Sequence, residues 1–388
     1  DAADAGIGSL QLHQVLNLHD FEVAASQLMD KQGYGYYASA AEDEVTKRDN
    51  QAAFSRAWLR PRVLRDVERV DASCTLLGSP ASFPVFVSPA AMAGLAHEDA
   101  ELALARAAGA HGIIQVVANM ASRSLEEITS ARRDGQVQWF QVYCNPDRSK
   151  SEAMIRRAEA AGCKALVLTV DTAVLGRRER DMRNKVTDEA NLSLVVRDDS
   201  GPSARSAGVA QALGRITDPR LSWGDIRWLR SLTSLPLVLK GIQTGEDAVL
   251  AAQHGVDAVV ISNHGGRNLD SARPTLDALA EVMAALDAAG LRDGMEVYLD
   301  GGVRRGTDVY KALALGARAV GIGRPAMYSL VFGQEGVEKC LGLLRDELEM
   351  CMRLMGVRSL REIKATDVVF RPASSLAWAP PVAVSSRL

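Results

Sequence analysis

The chain has 388 residues, of which 45 are Lys or Arg and 48 are Asp or Glu, for a net charge of -3 and an isoelectric point near 6.1. That balance offers no basic field to draw the chain to nucleic acid or to an anionic membrane, and no apolar run approaches the roughly 20 residues of a membrane span. With 47% hydrophobic and 24% charged residues, the composition is that of a globular protein, longer than the roughly 250 residues of a bare (β/α)₈ barrel.

Residues 1–75 read as an N-terminal extension with helical segments that contribute to the active site. Asn17 or Asp20 is placed to cap a helix whose apolar positions include Phe21, Ala24, Ala25 and Leu28. The stretch Gly33-Tyr34-Gly35-Tyr36-Tyr37 is expected to interrupt it with a turn, glycine freeing the backbone and the aromatics supplying bulk. Charged, helix-forming sequence then continues to Arg56.

From residue 83 a rhythm sets in. Short runs rich in Val and Ile at 84–88, 113–117, 138–143, 165–170, 237–240, 258–262, 296–299 and 319–322 alternate with Ala/Leu/Glu-rich helical stretches. Continuous apolar strands alternating with helices imply a parallel sheet covered by helices. Eight such units predict an α/β fold, a (β/α)₈ TIM barrel over residues 76–365, followed by a tail over 366–388. One interval, between Val170 and Leu237, is longer than one helix needs, and its stretch 191–218, rich in Ser, Gly, Asp and Arg, predicts a long loop after strand 4, either a mobile lid or a passive insertion. The fourth helix resumes near Ser222, where Ser222-x-x-Asp225 resembles a capping box.

The five cysteines, at 74, 144, 163, 340 and 351, show neither C-x-x-C spacing nor an accompanying His cluster, so they read as buried intracellular thiols and predict no metal site. The chain opens on Asp1 without a signal-peptide pattern, which reads as a processed or truncated end. It closes on Ser386-Arg387-Leu388, one conservative change from a peroxisomal address; a mitochondrial or cytoplasmic location is the alternative.

In a barrel of this type the chemistry sits at the C-terminal strand ends, and polar residues gather there. The ends read Ser88-Pro89-Ala90-Ala91, Gln141-x-Tyr143, Thr169-Val170-Asp171, Lys240-Gly241, Ser262-Asn263-His264-Gly265-Gly266-Arg267, Asp300-Gly301-Gly302-Val303-Arg304 and Gly321-Ile322-Gly323-Arg324. Glycine-rich loops after strands 7 and 8 make the usual barrel phosphate pocket, and Arg304 and Arg324 would add fork-shaped hydrogen bonds to it. His264 is the best candidate acid/base, with Asp171 placed to orient its ring. Arg267 suits bidentate capture of a carboxylate, and Arg178 offers a second cation. Lys240 is either a rim salt bridge or a fixed cation facing negative charge that develops on a redox cofactor.

At these residues the chain resembles the family of FMN-dependent L-2-hydroxy acid oxidases and dehydrogenases, which includes glycolate oxidase, L-lactate oxidase and the flavin domain of flavocytochrome-type L-lactate dehydrogenase. The likeness runs from about residue 17 to 365. It is carried by Tyr36-Tyr37-Ala38-Ser39-Ala40-Ala41-Glu42-Asp43, Leu168-Thr169-Val170-Asp171-Thr172, Ser262-Asn263-His264-Gly265-Gly266-Arg267 and the run from Asp300 to Asp308.

The resemblance implies FMN as cofactor, a small L-2-hydroxy acid as substrate, oxygen or another electron acceptor, and a homotetramer. It implies His264 as base with Asp171, Arg267 and Tyr36 on the substrate carboxylate with Arg178 assisting, and Tyr143 at the substrate hydroxyl. It places Lys240 at the flavin N1/O2 edge, Gln141, Thr169 and Ser262 at the ring or ribityl chain, and Ala90 and Ala91 beneath the ring. Asp300, Gly302, Arg304, Gly323 and Arg324 would hold the ribityl-phosphate end. Three positions call for comment. Ala40 stands where the family usually has glycine, a modest change in helical backbone. Ala118 replaces a usual flavin-facing serine, a hydrogen bond worth on the order of 1 kcal/mol. Met120 lies where the substrate side chain should point, with Ala91 and Leu175 beside it, which favours L-lactate-like acids over glycolate alone. Oxidation of such an acid with oxygen, giving hydrogen peroxide, is the expected activity. The alternatives are a dehydrogenase passing electrons to a haem domain or other acceptor, and a non-catalytic flavin-binding scaffold.

Overall fold

The computed structural model describes residues 10–184 and 217–370. All but the last two positions of the expected 191–218 loop, and the Ser386-Arg387-Leu388 end, lie outside the described residues. Eight parallel strands close into a barrel in chain order: β4 (Val85–Val87), β5 (Ile114–Val117), β6 (Gln138–Val142), β7 (Leu166–Thr169), β8 (Leu237–Ile242), β9 (Ala258–Ile261), β10 (Glu296–Asp300) and β11 (Ala319–Ile322). The helices between them include α4 (Glu101–Ala110), α5 (Leu125–Ser130), α6 (Arg148–Ala160), α7 (Glu179–Arg183), α8 (Asp225–Leu232), α9 (Gly245–Gln253), α10 (Thr275–Ala288), α11 (Gly306–Ala314) and α12 (Arg324–Ser329), followed by the long α13 (Gly333–Met355).

The two-residue period of a strand sorts each strand's side chains into two cores. Phe86, Val116, Trp139, Val167, Val238, Val260 and Tyr298 fill the barrel interior, and their neighbours in sequence pack outward against the helices. The Phe86, Trp139 and Tyr298 rings lie 5.7–6.1 Å apart. An antiparallel hairpin of β2 (Cys74–Leu76) and β3 (Ser79–Ala81) adds Leu76 and Ala81 to that cluster. Two residues further along each strand, the same period points Ser88, Ala118, Gln141, Thr169, Lys240, Ser262 and Asp300 inward as one layer at the C-terminal end. A sealed apolar floor beneath a polar layer is what the strand pattern dictates.

Helices α1 (Leu18–Leu28), α2 (Lys31–Ala38) and α3 (Val45–Arg56) form the extension. Asn17 caps α1, accepting from the His19 and Asp20 backbone, while Asp20 reaches back to Asn17 N. The expected turn at Gly33–Tyr37 is instead the body of α2, capped by Asp30 through Gly33 N at 2.7 Å. Its glycines serve close packing: a Cβ on Gly33 would stand 2.8 Å from the Leu95 carbonyl, and one on Gly35 would overlap the Asn184 amide. That close approach outweighs the roughly 1 kcal/mol that glycine costs a helix. Ala40 lies past the end of α2 rather than in helical backbone, and its φ is not positive, so a methyl is tolerated there.

Helix α3 is fastened to the loop after β9. Asp270 accepts from the Val45 and Thr46 N–H groups, and Asn50 exchanges two 2.8 Å amide hydrogen bonds with buried Asn263. Beyond residue 365, β12 (Val368–Phe370) pairs antiparallel with β1 (Ala57–Leu59), joining the end of the described chain to the extension.

Candidate active site

One cleft opens at the C-terminal end of the barrel. It is lined by Tyr36, Ala90, Ala91, Met120, Gln141, Tyr143, Arg178, Lys240, His264, Arg267, Asp300, Gly302, Arg304, Gly323 and Arg324, residues drawn from the extension and from most of the strand ends. Asp171, Thr169 and Ser262 are not on its wall. Thr169 and Ser262, expected against the flavin, share the inward layer with Gln141 and Lys240 and are hydrogen-bonded to them instead of lining the cleft. Gln141 Nε2 donates to Thr169 Oγ1 at 3.0 Å, and Lys240 Nζ to Ser262 Oγ at 2.8 Å. Each steadies a side chain that does reach the cleft.

His264 sits at the head of a left-handed turn in which residues 264, 265 and 266 have φ of 57, 64 and 75°. Such backbone is cheap for the glycines and costs a histidine on the order of 1–3 kcal/mol, a strain typical of functional sites. Asn263 holds the turn by accepting from Gly266 N. His264 Nδ1 lies 2.8 Å from the buried Asp171 Oδ1. A carboxylate at that distance requires the proton on Nδ1, which leaves Nε2 as the basic nitrogen. Room for Asp171 comes from Gly241, at the bulge in β8. Its φ is +117°, and a Cβ there would come within 2.6 Å of Asp171 Cβ.

Burial lowers the His264 pKa below that of an ordinary histidine, and the Lys240 and Arg178 cations add to this; the Asp171 carboxylate opposes the shift without cancelling it. Burial alone would raise Asp171, but His264, Lys240 and the Thr172 hydroxyl outweigh it and hold the carboxylate ionised. The sign for activity follows. A base with a depressed pKa stays neutral as pH falls past 6.5 and protonates only below it. The acidic limb of a kcat/KM profile, which reports the free enzyme, is therefore expected below pH 6.5. A limb above 6.5 would mean that Asp171 dominates over burial.

Burial also lowers Lys240, yet Asp300 at 3.2 Å and Asp171 more than restore it, so the ammonium is a fixed cation. Burial, with Arg267 nearby, pushes Arg178 down to about 9, which leaves it charged at neutral pH. Burial pushes the Tyr143 hydroxyl up, so it remains a donor.

The arginines divide their donors. Arg178 donates from Nε to the Arg267 carbonyl and from Nη2 to Asn268 Oδ1. Arg267 places its guanidinium carbon 4.9 Å from the Tyr36 ring centroid and spends Nη1 on the carbonyls of Tyr36, Tyr37 and Ser39. Its Nε and Nη2 have no hydrogen-bond partner among the described residues. Arg324, expected on a phosphate, also pins the extension: its three nitrogens donate to the carbonyls of Tyr37, Gly265 and Ser39.

The end of the cleft beyond β10 and β11 fits an anionic, phosphate-tailed cofactor. Arg304 Nε and Asp300 Oδ1 are buried with no hydrogen-bond partner among the described residues. A Cβ on Gly323 would meet nothing within 4 Å, so the backbone there borders open space. The five cysteines are free, and burial raises every thiol to about 11 or 12, which holds them in the thiol form at neutral pH. Among the described residues no group of acidic, His or Cys side chains is placed to hold a metal, and no helix is long and apolar enough to cross a membrane.

Several site-forming residues escaped the sequence reading. Asn50 fixes the His264 turn from another segment, and Asn268 ties Asp171 to Arg178. Buried Glu101 accepts from Ala93, Ser122 and Arg123 N–H groups, binding together the loops that carry Ala91 and Met120. Asn50 carried the one usable signal, an amide inside a helix, where it is disfavoured unless its side chain has a task.

The fold and cleft define a (β/α)₈ barrel whose C-terminal cleft holds a histidine paired with a buried aspartate. The chain belongs to the FMN-dependent dehydrogenase family, whose model matches residues 25–370, and FMN is the family's cofactor. It is 46% identical over 353 residues to an L-lactate dehydrogenase (cytochrome) of Wickerhamomyces anomalus, covering 91% of this chain and 61% of that one. With glycolate oxidase 3 of Arabidopsis thaliana the identity is 44%, covering 92% and 96%. The flavin-binding domain of baker's yeast flavocytochrome b2 superposes with a TM-score of 0.85 at 42% identity, covering 96% of this chain and 91% of that one. The chain thus spans about 61% of the length of the first of these relatives.

Proposed function

We propose that this chain, with FMN in the cleft, oxidises a small L-2-hydroxy acid of L-lactate type to the 2-oxo acid, with oxygen as acceptor and hydrogen peroxide as product. The observation that carries the reading is the His264–Asp171 pair, its basic Nε2 in the same cleft as Arg267 and Arg178. Arg267, with Arg178 and the Tyr36 ring, orients the substrate carboxylate. Tyr143 donates to the substrate hydroxyl region. His264 takes one proton as C2 becomes a carbonyl, and Asp171 stabilises the imidazolium that results. FMN supplies the two-electron acceptor. Lys240 holds positive charge where electron density accumulates, and Arg304 and Arg324 hold the phosphate end. Met120, Ala91 and Leu175 line the same cleft and make an adaptable apolar wall suited to a methyl side chain.

A second reading, a dehydrogenase delivering electrons to a haem domain, is favoured by the relatives named L-lactate dehydrogenase (cytochrome), which are longer than this chain. L-lactate added anaerobically should bleach the bound flavin. With oxygen as sole acceptor, one peroxide should then form per lactate consumed. Bleaching without peroxide would select the second reading, and no bleaching with any 2-hydroxy acid would remove both.

A further inference from the structure

The carboxylate of Asp171 is loaded on one side. Its Oδ1 faces His264 Nδ1 at 2.8 Å, the Thr172 hydroxyl at 3.0 Å and Asn268 Nδ2 at 3.4 Å, while Oδ2 is buried with no hydrogen-bond partner among the described residues. The Thr172 hydroxyl lies between two groups: Asn268 Nδ2 donates to it at 2.8 Å, and His264 Nδ1 stands 3.4 Å away. Since His264 Nδ1 carries its proton toward Asp171, it cannot accept from the hydroxyl. Since Asn268 already donates to Thr172 Oγ1, the hydroxyl proton points to Asp171 Oδ1. The Asn268 amide is itself oriented by Arg178 Nη2 on its Oδ1 and by the Asp171 carbonyl on its Nδ2. A chain of oriented donors therefore runs from Arg178 through Asn268 and Thr172 to the oxygen that holds the imidazole.

We infer that Thr172, with its hydroxyl aimed by Asn268, is a positioning residue that sets the proton affinity of the Asp171–His264 pair. A hydroxyl donating to Oδ1 draws charge away from the His264 hydrogen bond, so the carboxylate favours the imidazolium less than it would alone. Thr172 thereby works in the same direction as burial and keeps Nε2 available as a base. The other charged or titratable groups around the ring are Lys240, Arg178, Arg267, Tyr36 and Tyr143. All of them are retained when only the hydroxyl is removed. The inference rests on the proposed role of His264 as base, but its test does not require turnover.

The test follows the titration of His264 by NMR in the FMN-loaded protein with labelled histidine; the six histidines are distinguished by comparison with His264→Ala. In Thr172→Val the His264 titration should move up by roughly half a unit to one unit, while Thr172→Ser, which keeps the hydroxyl, should stay at the wild-type value. Thr172→Ala gives the same comparison if the valine variant folds poorly. The acidic limb of the kcat/KM profile should move with the titration. An unmoved titration in both hydroxyl-free variants, or an equal shift in Thr172→Ser, overturns the inference. Because the NMR shift needs no substrate, it can be seen even if no hydroxy acid bleaches the flavin, so the two failures are distinguishable.

Discussion

Replacing His264 with alanine is expected to lower kcat/KM for hydroxy-acid oxidation about 10²- to 10⁴-fold, the usual span of general-base catalysis. The loss should be this deep because no neighbour can substitute for the ring. Tyr143 is held protonated by burial, Lys240 is held charged by Asp300 and Asp171, and Arg178 remains a cation at neutral pH. The flavin should still bind, since Arg304, Gly302 and Gly323 lie at strand ends other than that of His264. Rapid anaerobic mixing with L-lactate reads the effect directly as the rate of flavin bleaching, and a variant bleaching near the wild-type rate would mean that the base lies elsewhere.

Arg267→Ala should cost about 2–5 kcal/mol of transition-state binding, roughly a 30- to 5,000-fold loss in kcat/KM, as expected when one partner of a buried charge-assisted pair is removed. Arg267 has two tasks, and they can be separated. Nη1 ties down the carbonyls of Tyr36, Tyr37 and Ser39, so alanine should also loosen the extension and lower the melting temperature. Arg267→Lys keeps a charge that can reach one carbonyl but loses the planar fork. It should melt nearer to the wild type while still showing a raised KM. Equal melting of alanine and lysine variants, with KM unchanged in both, would place the carboxylate clamp on Arg178 alone.

Much of this was legible in the sequence because strand periodicity is local. Eight apolar runs at regular intervals specify a barrel, and the residue following each run must emerge at one rim. His264, Asp171, Lys240 and Arg267 are therefore visible as candidates in the sequence itself. The glycines of α2 were misread as a turn for a physical reason: glycine in sequence signals either conformational freedom or close approach. Only the Leu95 carbonyl and the Asn184 amide, both distant in the chain, decide for close approach.

The remaining features depend on contacts between segments far apart in sequence, which no local pattern encodes. Asn50 reaches Asn263 across 213 positions, and Arg324 reaches the Tyr37 carbonyl across 287. Thr169 and Ser262 engage their hydroxyls with Gln141 and Lys240, the longer side chains that line the cleft. The amino-acid order alone determined the barrel, its chemical rim and the place of the candidate base on it, since each follows from spacing along one strand or turn. Tertiary structure alone decided which arginine nitrogens are already engaged, which carboxylate oxygen holds the imidazole and that burial lowers its pKa. Those are properties of packed neighbours and of the water they exclude.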